Sequence, residues 1–125
     1  QETISSYVSI LNNCAYSLAN HWANARHLIG DEERADKIEK ALNDRKPQDA
    51  FDGAELGLLQ YTEKLTLSPG TMVEADVEQL KATGQDDGQI LEANQIICYF
   101  NYVNRSLNGL GVSTDGDIVG YYAKT

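Results

Sequence analysis

Apolar residues recur along most of this chain at steps of three and four, the spacing that stacks side chains on one face of an α-helix. Ile4, Tyr7, Val8 and Leu11 mark a first helix over residues 2–11. Asn12 and Asn13 interrupt it, because asparagine favours caps and turns. Leu18, Trp22, Ala25 and Ile29 carry a second helix from about Cys14, and Gly30 suits the residue just past its end. Asp31 caps a short charged helix, Glu32 to Leu42, that turns Ala35, Ile38 and Leu42 inward. Residues 43–47 read as a loop, and Asp49 or Asp52 opens a fourth helix that takes Leu56, Leu59 and Thr62 on to Leu65. Residues 67–70, with Pro69 and Gly70, form a turn. A short helix between Thr71 and Thr83 buries Val77 and Leu80 and stops at Gly84. Asp86 or Asp87 opens the longest helix, with Ile90, Ala93, Ile97, Phe100, Val103 and Leu107 on one side and Gly109 and Gly111 closing it. Residues 113–125 show no period. No stretch alternates with period two for long enough to make a strand. The expected class is therefore all-α, a compact multi-helix bundle of about six helices, with the last helix laid along the second.

A length of 125 residues suits one domain with one sizeable core. The formal net charge is −9, and the lysines and arginines are scattered. A phosphate backbone or an anionic lipid surface needs a basic patch, so neither nucleic acid nor membrane is an expected partner. The longest apolar run, Gln95 to Phe100, is too short to span a bilayer. Two cysteines, Cys14 and Cys98, make neither a disulfide framework nor a zinc-type CxxC pair. A reducing, cytoplasmic setting with no cofactor and no metal is expected. The chain opens on Gln1-Glu2 with no signal peptide and no Met, which leaves room for an upstream helical segment.

The chemistry-bearing stretch is Asn13 to His21. Cys14, Ser17 and His21 stand at steps of three and four, so one helical stripe carries a thiol, a hydroxyl and an imidazole. If the break at Asn12-Asn13 starts a helix, its first turn offers free N–H groups that favour an anion such as a thiolate. His21 would then trade protons with either group, and a hairpin would bring Glu2 from the preceding helix to the imidazole or the thiol. The plain alternative is a core cysteine and a satisfied polar histidine, and spacing alone favours it. Cys98, amid Ile96, Ile97, Tyr99 and Phe100, reads as a small core residue rather than a redox partner of Cys14. His27 near a helix end reads as structural. Asn101, Asn104 and Arg105 are either a solvated face or the lining of a pocket or interface, and spacing does not choose between them. The acidic runs at 31–33 and 86–87 read as helix-start charges, without calcium-loop spacing. Phosphate-loop, GxSxG and HExxH motifs are absent from the sequence.

Two stretches carry a family resemblance. The first runs from Glu2 through Val8-Ser9-Ile10-Leu11-Asn12-Asn13-Cys14-Ala15-Tyr16 and Asn20-His21 to Leu28-Ile29-Gly30-Asp31. The second holds Tyr61-Thr62-Glu63-Lys64-Leu65-Thr66, Glu74-Ala75-Asp76-Val77 with Leu80, and Tyr99-Phe100-Asn101-Tyr102-Val103-Asn104-Arg105 followed by Leu110-Gly111-Val112. Together they resemble the alkyl hydroperoxidase D-like branch of the carboxymuconolactone decarboxylase superfamily, and within it the peroxidase-related group. Peroxidatic members carry a glutamate, a CxxC and a histidine four residues after the second cysteine. The resemblance places these roles on Glu2, Cys14, Ser17 and His21. Position 17, where the family's peroxide-attacking cysteine stands, holds a serine, which neither becomes a sulfenic acid nor closes a disulfide. The resemblance also implies an all-helical homo-oligomer with the site near a subunit boundary.

Three functions follow from it. One is a peroxidase-like thiol protein of weakened or altered activity, acting on a small hydroperoxide or other organic substrate. It would draw on an external thiol or lipoyl reductant, or on Cys98. Another is a non-redox, carboxymuconolactone decarboxylase-like enzyme in which His21 and Glu2 transfer protons. The third is a catalytically silent, oligomeric binding protein.

Overall fold

The computed structural model describes residues 1–122. Six α-helices follow in order: α1 (Glu2–Leu11), α2 (Ala15–Ile29), α3 (Glu32–Asn43), α4 (Gly53–Leu67), α5 (Glu74–Ala82) and α6 (Asp87–Leu110). Single 3₁₀ turns, Pro47–Asp49 and Pro69–Thr71, flank α4. Among the described residues there is no strand, so the class is all-α as the periodicity predicts. Also among them, no helix is long and apolar enough to cross a membrane.

Local chemistry sets the boundaries. Asn13 takes the left-handed conformation, φ 52°, which ends α1 and reverses the chain into α2. Gly30 does the same after α2 at φ 67°. The Asp31 carboxylate accepts the Arg34 N–H at 3.1 Å, and Asp86 accepts the Gln89 N–H at 2.7 Å. Both acidic runs are thus helix caps. Asp52 stands at the cap position of α4 without a side-chain bond.

α1 is the central helix. Tyr7 and Leu11 pack with Ile38, Ala41, Leu42, Ala50 and Leu59 on one side. Val8 packs with Tyr61, Leu80, Ile90, Ile97 and Phe100 on the other. Ser5, Ser6 and Ser9 fill the remaining faces and are also fully buried. They are tolerated because each hydroxyl has a backbone acceptor one turn back, at Gln1, Glu2 and Ser5 respectively. The Tyr7 hydroxyl donates to Glu63 at 2.7 Å. Burial, with that carboxylate beside it, pushes the phenol well above its ordinary range.

Two expectations are corrected. The last helix lays its Ile90–Ile97–Phe100 side mainly on α1 and α4, and touches α2 only lightly. Val8 and Tyr61 supply the apolar surface that this side needs, whereas the middle of α2 offers it His21 and Asn24. Cys98, expected in the core, is exposed. It follows Ile97 by one residue, a 100° step that carries it off the buried face.

Of the three polar residues of α6, Asn101 and Asn104 turn inward to a hydrogen-bonded seam, while Arg105 is exposed. Asn12, in the α1–α2 turn, donates to Asn101 at 3.0 Å and Asn104 at 3.3 Å. Asn101 donates to Thr66 of α4 at 3.1 Å, and Arg105 donates to the Asn101 amide oxygen at 2.8 Å. This polar seam ties the turn before Cys14 to α4 and α6.

Candidate functional site

The α1–α2 hairpin positions the candidate residues. Its turn is closed by the Cys14 N–H donating to the Ser9 carbonyl at 2.8 Å. Two helices running back along each other from that turn bring residue 2 beside residue 21. Glu2 Oε2 lies 2.7 Å from His21 Nδ1, with 22% and 18% of the two side chains exposed. A carboxylate only accepts, so Nδ1 carries the shared proton and Nε2 is left for other partners. The Phe100 ring stands edge-on to the imidazole, centroids 4.7 Å apart. The histidine is therefore fixed by a carboxylate and an aromatic wall.

Ser17 stands in the first turn of α2, one turn before His21, and is 1% exposed. Ser9 Oγ lies 2.8 Å from both the Ser5 carbonyl and Ser17 Oγ. The carbonyl takes the single Ser9 proton, so the Ser17 hydroxyl donates to Ser9. That proton is engaged in the protein interior and away from the imidazole. Cys14 is the cap residue of α2 rather than part of its first turn; its side chain makes no capping bond and is 1% exposed.

A cavity of about 340 Å³ opens along this face. Tyr16, Ser17, Asn20, His21 and Asn24 of α2 form one wall, Val103 and Leu107 of α6 another, and Ile118, Gly120 and Tyr121 the outer side. Cys14 does not line it. A larger hollow of about 480 Å³ lies between α4 and α5, lined by Gln60, Lys64, Asp76 and Gln79 among others, with no histidine or cysteine. Lys64 there is taken up by Asp76 at 2.9 Å, and the Val73 N–H, with that lysine, holds the Asp76 carboxyl below its usual range. Of the two, the smaller cavity is the one that offers an imidazole.

Of the four predicted site residues, Glu2 and His21 are in direct contact, Ser17 joins His21 at the cavity, and Cys14 lies behind at the helix start. Cys98, on exposed α6 surface, has its sulfur 3.9 Å from Asn94 and makes no bond with Cys14; both cysteines are free. His27 stacks on Tyr122 with ring centroids 4.2 Å apart. Sequence reading passed over Tyr16, Asn20 and Asn24. The i, i+4, i+7 spacing of Asn20, Asn24 and His27 was the available signal for the last two. No group of three or more potential metal ligands occurs among the described residues.

One solved structure similar to the chain is that of an uncharacterized peroxidase-related protein from Silicibacter sp. TM1040. The two share 28% identity at a TM-score of 0.80, over 90% of this chain and 56% of that one. The chain shares the all-helical fold of that peroxidase-related protein. It spans little more than half the length of that neighbour. No protein-family model and no curated protein matches the chain.

Proposed function

We propose that this chain is an alkyl hydroperoxide reductase-like thiol protein that keeps the proton-handling half of its site and lacks the dithiol half. The carrying observation is the 2.7 Å contact between Glu2 and His21 beside a cavity that position 17 lines. In this reading a hydroperoxide enters that cavity, and Cys14, buried behind it at the start of α2, is oxidised once when the site opens to it. The sulfur bonds to the outer peroxide oxygen, the O–O bond breaks, and the departing alkoxide leaves as an alcohol with a proton relayed by His21. Ser17 cannot resolve the resulting sulfenic acid, so recycling needs an external thiol or lipoyl reductant. We extend the proposal to a homo-oligomer in a reducing, cytoplasmic setting. The outward side of α6, with Leu91, Tyr99 and Tyr102 all at least 60% exposed, supports a second copy as partner. Sedimentation at micromolar protein showing monomer alone would contradict it.

One observation favours a second reading. The cavity holds imidazole, hydroxyl and amide groups but no thiol, which suits carboxymuconolactone decarboxylase-like proton transfer by His21 and Glu2. The experiment is single-turnover oxidation of Cys14 by a small alkyl hydroperoxide, followed by intact mass. Glu2→Gln and His21→Gln are each expected to slow it on the order of 10²-fold, the usual worth of a positioned proton-transfer group. Oxidation at an unchanged rate in both variants refutes the relay. A Cys14 that stays reduced in excess peroxide refutes the redox reading and leaves the proton-transfer one.

A further inference from the structure

We infer that the segment from Ile118 to Tyr122 is a latch over the His21 cavity, with Asn20 and Asn24 as its catch, and that this latch decides what reaches the imidazole. The inference rests on that cavity being the working site. Three successive residues engage three positions of one α2 face. The Gly120 N–H donates to Asn20 Oδ1 at 3.0 Å, the Tyr121 N–H donates to Asn24 Oδ1 at 2.7 Å, and the Tyr122 ring stacks on His27. The catch is itself set: Asn24 is 2% exposed, and the Asn20 amide nitrogen donates to the Tyr16 carbonyl at 3.0 Å.

The fit at Gly120 is close. Its φ of 83° is a left-handed conformation, and a Cβ there would stand 2.9 Å from Ala23 Cβ and 3.1 Å from Asn24 Oδ1. Only glycine lets the backbone lie this near α2. The same residues form the cavity's outer side, so closure and cavity shape are one feature.

Two of the segment's large side chains stay in solvent. Ile118 is 64% and Tyr121 84% exposed. A terminal segment with such exposed side chains belongs to the easily opened end of a fold, where gating elements are found. Tyr121 and Ile118 thus present apolar surface at the rim, which selects for organic rather than strongly charged ligands.

The test reads the latch without any activity. His21 and His27 are the only histidines, so acylation of each imidazole by diethyl pyrocarbonate can be followed by peptide mass mapping. Gly120→Val places a branched side chain where no Cβ fits, and Asn24→Ala removes one acceptor of the catch. Each is expected to speed modification of His21 by roughly threefold to tenfold, and of His27 as it loses Tyr122, with the helical circular dichroism unchanged. Amide exchange at Gly120 and Tyr121 is expected to be slowed in the unsubstituted chain and to lose that protection in both variants. An unchanged His21 rate in both variants, or Gly120 and Tyr121 amides that exchange in the unsubstituted chain as fast as an unstructured peptide, overturns the latch. Either result leaves the Glu2–His21 relay standing, while a failed relay leaves these rates as they are.

Discussion

Replacing Ser17 by cysteine is expected to raise hydroperoxide consumption driven by an external dithiol by on the order of tenfold or more, because it completes a thiol pair with Cys14. Position 17 is in the first turn of α2 and lines the cavity; Cys14 caps the same helix one turn earlier. That spacing at a helix start lets a thiol pair close to a disulfide. The introduced thiol would meet the peroxide beside His21 and become a sulfenic acid, releasing an alcohol. The Cys14 thiol would then attack it, forming the disulfide and releasing water, and the external dithiol would return both sulfurs to the reduced form. Ser9 Oγ, 2.8 Å from Ser17 Oγ, remains as an acceptor for the reduced thiol. Peroxide loss is measured for the chain as it stands and for the variant, each also with Cys98→Ser. Many turnovers by the unsubstituted chain without Cys98 would show that the serine is no obstacle. Failure to map a bond between positions 14 and 17 in the oxidised variant would refute the helix-start geometry.

Half of the candidate site was legible. The spacing of Cys14, Ser17 and His21 announced one helical stripe, and the break at Asn12-Asn13 announced a hairpin able to return Glu2 to it. The contact of Glu2 with His21 then follows from helix lengths. The burial of Cys14 and Ser17 was less legible, since a stripe tells which residues share a face and not how deep each lies. Ser9 explains part of the difference. Its hydroxyl sits on α1, and nothing in the local pattern pairs it with Ser17. The latch was illegible for a related reason: Gly120 and Tyr121 are held by backbone N–H bonds to the side chains of Asn20 and Asn24, which follow no hydrophobic pattern.

The helices were read more closely than their packing. The bounds of α1 match the periodicity, and α3 and α6 begin at the acidic caps the sequence announces. α4 runs two residues past the predicted Leu65, to Leu67, before Pro69 forces the turn. Period alone says least where a helix is buried on every side. α1 shows an apolar stripe and a serine stripe, and an amphipathic reading sends the serines to water. They are interior instead, because back-bonding to the preceding turn satisfies them without solvent. Asn104, fully buried on α6, is held differently: its side-chain oxygen accepts from Asn12 across the α1–α2 turn. The greasy run at 95–100 failed in the opposite direction, since hydrophobic composition without phase could not tell Ile97 from Cys98.

That last pair gives the largest stability contrast expected in the chain. Ile97 is 0% exposed and packs with Val8, Tyr61, Leu80, Ile90 and Phe100. Ile97→Ala removes three carbons from a site walled by three helices, so the surroundings cannot collapse into the void, and it is expected to cost about 2–5 kcal/mol. Cys98→Ser, one residue on, changes a side chain in contact with solvent and is expected to stay within about 0.5 kcal/mol. Urea unfolding of the two variants at one protein concentration checks both values, with the slope against urea compared to confirm that the denatured state is unaltered. The effect of Ile97→Ala should extend to the site. Phe100, one turn on from Ile97, packs with it and stands edge-on to His21 at 4.7 Å. A loosened Phe100 gives the imidazole rotational freedom that Glu2 alone does not remove. The ring resonances of His21 are therefore expected to broaden in Ile97→Ala and stay sharp in Cys98→Ser. Equal destabilisation by the two substitutions would mean that α6 is rotated from the orientation that places Phe100 against the histidine, and the aromatic wall of the site would fall with it.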